Sequence, residues 1–417
     1  MQGQPHGPCN MQQQERDCCG WRNHRSISGL LPHPTQLTCG SVCGETLGLL
    51  HAAQSIVQPP TTSALHRACQ LEQVERDQPA CAASGKAGGF LALDWNDGSQ
   101  LEPLARLSYH LHAQLATTLS ADKIGYRQVD TVQVLAMAQP ASHAGPGPAK
   151  LQAPLPAWVD SKAIVAAAPA GDTSTTAQVH PRLLTNALLD SAKAQGAQII
   201  KGTAQGLVRG TDGRVKGVVV DGQELLGSAV VLAMGPWTPQ AQAWIPGADL
   251  GRIAGLKYHS VVLQPSEPVT ALCLEARVVE AGGRQLETEV YPRPDGTVYV
   301  CGQPQELPVP ASTSGVMVDP ELARRVQAAA SVLSSCLGEG QAQLLEQQAC
   351  YLPISQRSGN LPVIGEVPGE PGLYVAAGHS CWGILNGPAT GKVIAELILD
   401  GKVSCLPGGL GPLQPSK

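Results

Sequence analysis

Aromatic side chains are scarce in this chain of 417 residues: they make up 3%, with a single phenylalanine, Phe90. Charge is low too, 15% of residues with a net −5, and no basic stripe exists to neutralise phosphates, which excludes a nucleic-acid partner. No apolar run approaches the ~20 residues of a bilayer span, so no membrane span is expected. The N-terminus has no apolar core of a secretory leader. Cysteines number 13, yet no C-x-x-C pair occurs, so the paired ligands of a zinc site are missing and no metal is expected. These features read as reduced thiols in a cytoplasmic protein. An organelle such as plastid or mitochondrion is the alternative, because Arg16, Arg22 and Arg25 stand where a transit peptide carries arginines, although Glu15 and Asp17 spoil the pattern.

What the chain does have is 43% hydrophobic residues, enough for a large core. It also has 46 Gly and 34 Pro, about a fifth of the residues against roughly 12% in average usage. Their distribution is uneven. Residues 1–73 show little period; only the stretch 39–57 is organised, as an amphipathic or buried helix. Beyond Val74 the pattern is regular. Leu101, Leu104, Leu107, Leu111 and Leu115 share one helical face. A strand is expected over 126–137 and a loop over 138–157. The stretch 175–196 reads as a helix with Pro181 at its first position and Gly196 as its stop. Short strands follow at 198–201, 203–208, 215–220 and 229–233. A hairpin spans 286–303 around Asp295-Gly296, a helix runs over 321–336, and a strand, glycine loop and long helix fill 374–400. Strands alternating with helices, plus a hairpin block, indicate α/β with a second sheet.

Small residues cluster where a chain must approach a ligand. Glu75 ends a strand, where a carboxylate can accept ribose hydroxyls, beside the Gly-rich stretch CAASGKAGGFLALDW (81–95). On its own Glu75 reads as a solvated surface carboxylate. The strand 229–233 runs into Gly235, and GLYVAAGHSCWGILNGPATGK (372–392) carries Gly378, Gly383, Gly387 and Gly391 into a helix N-terminus suited to an anionic ligand atom.

The segments ASGKAGGFLALDW, TAQVHP, VVLAMGPWT, GLKYHS, EVYPRPDGTVYVCG and GHSCWGILNGPATGK, in this order within residues 82–392, resemble the FAD-dependent oxidoreductases of the D-amino-acid-oxidase and glycine/sarcosine-oxidase (DAO) superfamily. The resemblance covers roughly residues 74–403. It implies an α/β protein whose Rossmann-like FAD-binding lobe interleaves with a substrate lobe holding a mixed antiparallel sheet. The FAD lobe is expected over 74–119, 176–250 and 348–403, the substrate lobe over 120–175 and 251–347, and a tail over 404–417. By the same resemblance Glu75 binds the adenosine ribose, and Ser84, Gly85, Lys86, Gly88 and Gly89 line the pyrophosphate and flavin edge. Leu207 meets the adenine, Ala233 and Gly235 meet the ADP half, and Gly378, His379, Gly383, Ile384 and Leu385 lie against the isoalloxazine. Cys350 stands where sarcosine-oxidase-like members attach flavin covalently, or is an inert buried thiol. The implied activity is oxidation of a C–N bond of an amine or amino acid by hydride transfer to flavin, with oxygen or another electron acceptor. Flavin does the chemistry, so no side-chain base is mandatory. Lys86, Lys257 and His259 are the catalytic candidates, with Gln178, His180 and Tyr258 near the substrate.

One feature of that superfamily is missing. The resemblance calls for a strand followed by G-x-G-x-x-G, but the glycines here stand at 40, 44 and 48. Residues 1–73 are therefore expected to be atypical, disordered or mispredicted. The rival function is a flavin-free remnant acting as a pseudoenzyme or scaffold, because the pyrophosphate cradle is absent. A nicotinamide enzyme would need the same motif.

Overall fold

A computed structural model describes residues 42–44, 71–138 and 150–416. Four long helices organise them: α1 (Glu102–Leu119), α2 (Pro181–Ala194), α3 (Pro320–Leu333) and α4 (Gly383–Asp400). Each begins or ends for a local reason. Pro181 and Pro320 open α2 and α3, where a missing N–H costs nothing. The Asp319 carboxylate accepts from the N–H groups of Glu321 and Leu322 to cap α3. Gly401, with φ +69°, closes α4 in the left-handed region.

The first lobe is built on a six-stranded sheet in the order Val363–Glu366, Leu373–Ala377, Val230–Ala233, Val42–Gly44, Glu72–Glu75 and Gln198–Lys201. All neighbours run parallel except the first pair. Parallel strands need long crossovers, and α1, α2 and α4 lie in the connections or follow them. The central strand is the unexpected one. Val42–Gly44 pairs with Val231–Ala233 on one side and Gln73–Val74 on the other. The reading of 39–57 as helix is thus corrected at these three residues, and the sheet begins before the expected boundary at residue 74. The rest of 1–73 up to residue 70 lies outside the described residues.

The second lobe is an eight-stranded mixed sheet in the order Ala342–Ser355, Ile253–Pro265, Val298–Gln305, Gln285–Pro292, Leu272–Val279, Asp130–Met137, Ile164–Gly171 and Lys150–Leu151. Strand alternation gives it two faces. On one, Val132, Val134, Val261, Leu263, Leu274, Val290 and Val300 pack on Ala323, Val326, Ala330 and Leu333 of α3. On the other stand Val262, Cys273, Tyr291, Tyr299 and Cys301. Two three-stranded sheets complete the fold: Phe90–Ala92, Thr176–Gln178 and Arg127–Gln128; and Ala204–Arg209, Val215–Val220 and Gln223–Leu226.

Three further expectations need correction. The helix expected from 175 is preceded by the strand Thr176–Gln178, so α2 starts only at Pro181. A lobe boundary at 348 would cut the strand Ala342–Ser355, which belongs to the eight-stranded sheet throughout. The segment from 404 is no separate tail: Leu406, Leu410 and Leu413 are buried with Ile364, Tyr374 and Val393. Apolar side chains at these spacings are removed from water, which holds the segment on the first lobe.

Candidate active site

The five parallel strands end at a common edge, at Gly44, Glu75, Lys201, Ala233 and Ala377. Ligands of open α/β sheets bind at that carboxyl edge. Glu75 is half-buried there and accepts from Gln73 Nε2 at 2.5 Å. Arg76 beside it donates to the Ala311 carbonyl at 2.6 Å and lies over the Trp237 ring at 5.9 Å. Ala233 is buried, and Gly235 leaves the strand with φ +52°. Leu207 is half-buried in the separate sheet Ala204–Arg209, packed against the cluster of Val215, Val230 and Leu373.

The stretch 84–89 then lies between the two lobes. A Cβ on Gly85 would fall 1.8 Å from the Ala80 carbonyl oxygen, and one on Gly88 2.5 Å from the Tyr291 ring. These glycines are required by close backbone packing inside the protein, whatever they meet on their other side. Lys86 Nζ donates to the Ala349 carbonyl at 3.2 Å, and Tyr299 Oη donates to the Lys86 carbonyl at 3.1 Å. The stretch is thereby pinned over the inner face of the large sheet.

That face carries a polar row. Cross-strand register aligns Gln133, Glu275, Glu289, Cys301, Ser260 and Gln348 over six strands. Tyr291 Oη donates to Glu275 Oε1 at 2.6 Å and the Cys301 thiol to Glu289 Oε2 at 3.2 Å. Beside the row, Phe90, Tyr291 and Tyr299 stack at centroid distances of 5.6 and 6.2 Å. Burial raises the Glu289 carboxyl above its ordinary range, against the opposing hydrogen bonds from Cys301 and Tyr291. Burial, and then the neighbouring glutamates, push Tyr291 well up, so it stays a phenol. Cys301 is likewise raised, by burial first and Glu289 second. Cys350 is buried and pairs in register with Tyr258, so alternation sets both on this same face.

Lys257 and His259 alternate with Tyr258 and fall on the other face. His259 is fully buried, its Nε2 accepting from the Asp319 N–H at 3.1 Å at the start of α3. It fastens a helix to the back of the sheet, so the structure does not bring these two candidates to the row holding Glu289. Gln178 and His180 lie beside the aromatic stack: Gln178 pairs in register with Phe90 and accepts from Arg127 Nε at 2.7 Å, and His180 Nε2 lies 3.4 Å from Nη1 of Arg293, whose guanidinium sits 5.1 Å from the Tyr299 ring centroid.

The turn into α4 closes the site. Gly378 has φ +82°, and His379 Nε2 pairs with Thr390 Oγ1 at 3.0 Å. Gly383, Ile384 and Leu385 form the first turn of α4. Pro388 has no N–H for the Ile384 carbonyl, and the Ala389 N–H is taken by Ser108 Oγ at 3.0 Å. His112 on α1 reaches both carbonyls of this turn: its Nε2 lies 2.9 Å from the Ile384 oxygen and 3.2 Å from the Leu385 oxygen. Burial lowers His112 to about 4, so the ring is neutral with its proton on Nε2.

Polar groups at this edge fit a large polar cofactor. Ser84 Oγ is buried without a partner among the described residues, as are both amide atoms of Asn386, a fully buried residue. Unpaired buried polar atoms are costly, and a hydrogen-bonding ligand relieves them. Tyr291, Tyr299, Glu275, Glu289, His112 and Asn386 were not singled out from the sequence. The i, i+2 spacing of Glu289 with Tyr291, and of Tyr299 with Cys301, is the signal that puts three of these groups, with Cys301, on one face.

A parallel sheet with a glycine-rich stretch at its carboxyl edge, covered by the aromatic face of a mixed sheet, is the architecture of a dinucleotide-cofactor oxidoreductase. Residues 67–397 match the family model DAO, FAD dependent oxidoreductase. A Schizosaccharomyces pombe protein named as an oxidoreductase, C1F5.03c, is 33% identical over 343 residues, 78% of this chain and 85% of that one. The chain belongs to the FAD-dependent oxidoreductase family, and FAD is its cofactor. Among solved structures, glycine oxidase from Geobacillus kaustophilus superposes with a TM-score of 0.68 at 20% identity, covering 90% of this chain and 98% of that one. L-proline dehydrogenase from P. horikoshii superposes at 0.65 and 18% identity, covering 89% and 94%. These two show the fold. Among the described residues, no helix is long and apolar enough to cross a membrane.

Proposed function

We propose that the chain oxidises the C–N bond of an amine or amino acid, the carbon losing hydride to the FAD and the product imine hydrolysing. Oxygen or another acceptor then takes the electrons. The observation that carries this reading is the inner face of the large sheet. The stacked Phe90, Tyr291 and Tyr299 rings end on Glu275 and Glu289. Aromatic faces and carboxylates both favour a cationic nitrogen. An ammonium must lose a proton before its carbon can give up hydride, and the Glu289 carboxylate on this face is the group we assign to accept it at Oε1 or Oε2.

In this reading Glu75, Ser84, Gly85, Lys86, Gly88, Gly89, Leu207, Ala233 and Gly235 meet the ADP half of FAD and its approach to the flavin. Gly378, His379, Gly383, Ile384 and Leu385 meet the ring system. The FAD supplies a two-electron acceptor; the protein binds, orients and excludes water. The relatives named glycine oxidase and L-proline dehydrogenase support a nitrogen-bearing substrate.

The test is a panel of amines, amino acids and hydroxy acids given to the FAD-loaded protein, with reduction of an artificial dye and peroxide release followed together. Turnover of at least one amine or amino acid, cut at least about tenfold in Glu289→Gln, is the expected result. Turnover confined to hydroxy acids would refute the C–N assignment.

A further inference from the structure

The connection between the strand Val298–Gln305 and α3 leaves the second lobe and returns to it. None of its residues from 306 to 317 is buried, so no apolar core holds it. Hydrogen bonds hold it instead, and most come from the first lobe. Arg76 Nη1 and Gln240 Nε2 both donate to the Ala311 carbonyl, at 2.6 and 3.2 Å, and Trp237 Nε1 donates to the Pro310 carbonyl at 2.7 Å. Thr313 Oγ1 donates to the Asp77 carboxylate. From its own lobe, Tyr351 Oη donates to the Pro308 carbonyl at 3.0 Å. Pro308 and Pro310 fix φ and carry no N–H, so the stretch is stiff and is gripped by its carbonyls. Its position is informative. Arg76 and Asp77 follow the strand Glu72–Glu75, and Trp237 and Gln240 follow Val230–Ala233. Those two strands flank the central strand Val42–Gly44, and all three run parallel. Strands two places apart stand about 9.6 Å apart, and the stretch 310–313 is bonded to the exits of both. Arg76 closes the same gap, its guanidinium 5.9 Å from the Trp237 ring centroid. The connection therefore spans the carboxyl end of the central strand, where the phosphates of a dinucleotide sit in such sheets.

We infer that residues 306–317 form a strap that gates FAD exchange, the cofactor entering and leaving when the strap lifts from the first lobe; this rests on the reading that the ADP half of FAD lies at this edge, and not on which bond is oxidised. A segment held by exposed or part-buried hydrogen bonds, with no buried side chain, opens at low cost while both lobes stay folded. Every bond named joins protein to protein, so loosening the strap speeds uptake and release alike. A segment that only added contacts to bound FAD would, on loosening, speed release alone.

The experiment compares the full-length wild type with the double variant Gln240→Ala and Thr313→Val, which removes one strap bond at each flanking strand exit. Uptake and release of FAD are followed by stopped-flow flavin fluorescence, and Kd by equilibrium quenching. The expected result is a rise of at least about tenfold in both rates, with Kd within about threefold of wild type. Trp237→Phe, which keeps an aromatic ring and removes the bond to Pro310, should move both rates in the same direction, and it carries the test alone if the double variant does not fold. Unchanged rates overturn the gate, and so does faster release with unchanged uptake. Glu75→Gln tests the placement of the ADP half by itself, with a weaker Kd expected. An unchanged Kd in Glu75→Gln overturns that placement and the gate with it. A weaker Kd there, with wild-type rates in the strap variants, overturns the gate alone.

Discussion

Replacing His112 by leucine removes the group that completes the first turns of α4. Two carbonyls depend on it, Ile384 and Leu385, at 2.9 and 3.2 Å from Nε2. The dependence of the Ile384 carbonyl has a cause written in the chain: Pro388 has no N–H to serve it. Leaving a buried acceptor unpaired costs about 1–3 kcal/mol, so the substitution is expected to destabilise by about 2–4 kcal/mol, read from urea midpoints. Pro388→Ala returns an N–H facing the Ile384 oxygen. In that background the His112→Leu cost should fall by about 1–2 kcal/mol, the share of one carbonyl. A double-mutant cycle reads the difference directly. Two costs that add to within about 0.5 kcal/mol would refute the argument that His112 compensates for Pro388. His112→Gln, which can still present an N–H, should recover part of the loss.

Other outcomes follow from the same geometry. His112, His180 and His379 are each lowered to about 4, burial being the first cause in all three. Their folded values lie below the unfolded 6.5, so the unfolded chain binds more protons, and stability is lost as pH falls from about 6.5 through 4. The loss is about 3 kcal/mol per histidine at the low end, and His379→Asn should flatten the pH dependence of the urea midpoint over this window. Gly88→Ala, whose Cβ would meet Tyr291 at 2.5 Å, should lower stability by more than about 1 kcal/mol. Gly206→Ala, with no atom within 4 Å, is the control expected to be near neutral. For Cys350, acid precipitation of the FAD-loaded protein decides between a covalent link and a buried thiol: flavin left in the pellet of wild type but not of Cys350→Ser demonstrates the link.

Local signals read the regular elements well. Leucines three and four apart gave α1, Pro181 marked the start of α2, and Asp295-Gly296 set the turn between Gln285–Pro292 and Val298–Gln305. The long strands Ile253–Pro265 and Ala342–Ser355 were not legible. The second shows exposed Leu344 and Leu345 beside exposed polar neighbours, because it is the edge of its sheet and one flank is uncovered. Val42–Gly44 was hidden for another reason. Three residues are too few to show a period, and only pairing on both sides identifies them as the central strand.

The glycines of the site carry a second constraint that the sequence does not show. Gly85 and Gly88 stand out in the sequence as ligand-facing, yet each is already required by contacts with Ala80 and Tyr291. His259 was conspicuous as a titratable residue, but strand alternation turns it to α3. Two of the buried groups without a partner among the described residues, Ser84 and Asn386, could be recognised as such only once their neighbours were in place. Of those two, the resemblance had pointed to Ser84 alone.

The most direct measurement is the visible spectrum of the purified, FAD-incubated chain during anaerobic titration with amines and amino acids. The account predicts flavin absorbance that stays with the protein through gel filtration and is bleached by at least one of these compounds. A colourless protein after gel filtration, or a flavin band that none of them reduces, would contradict it.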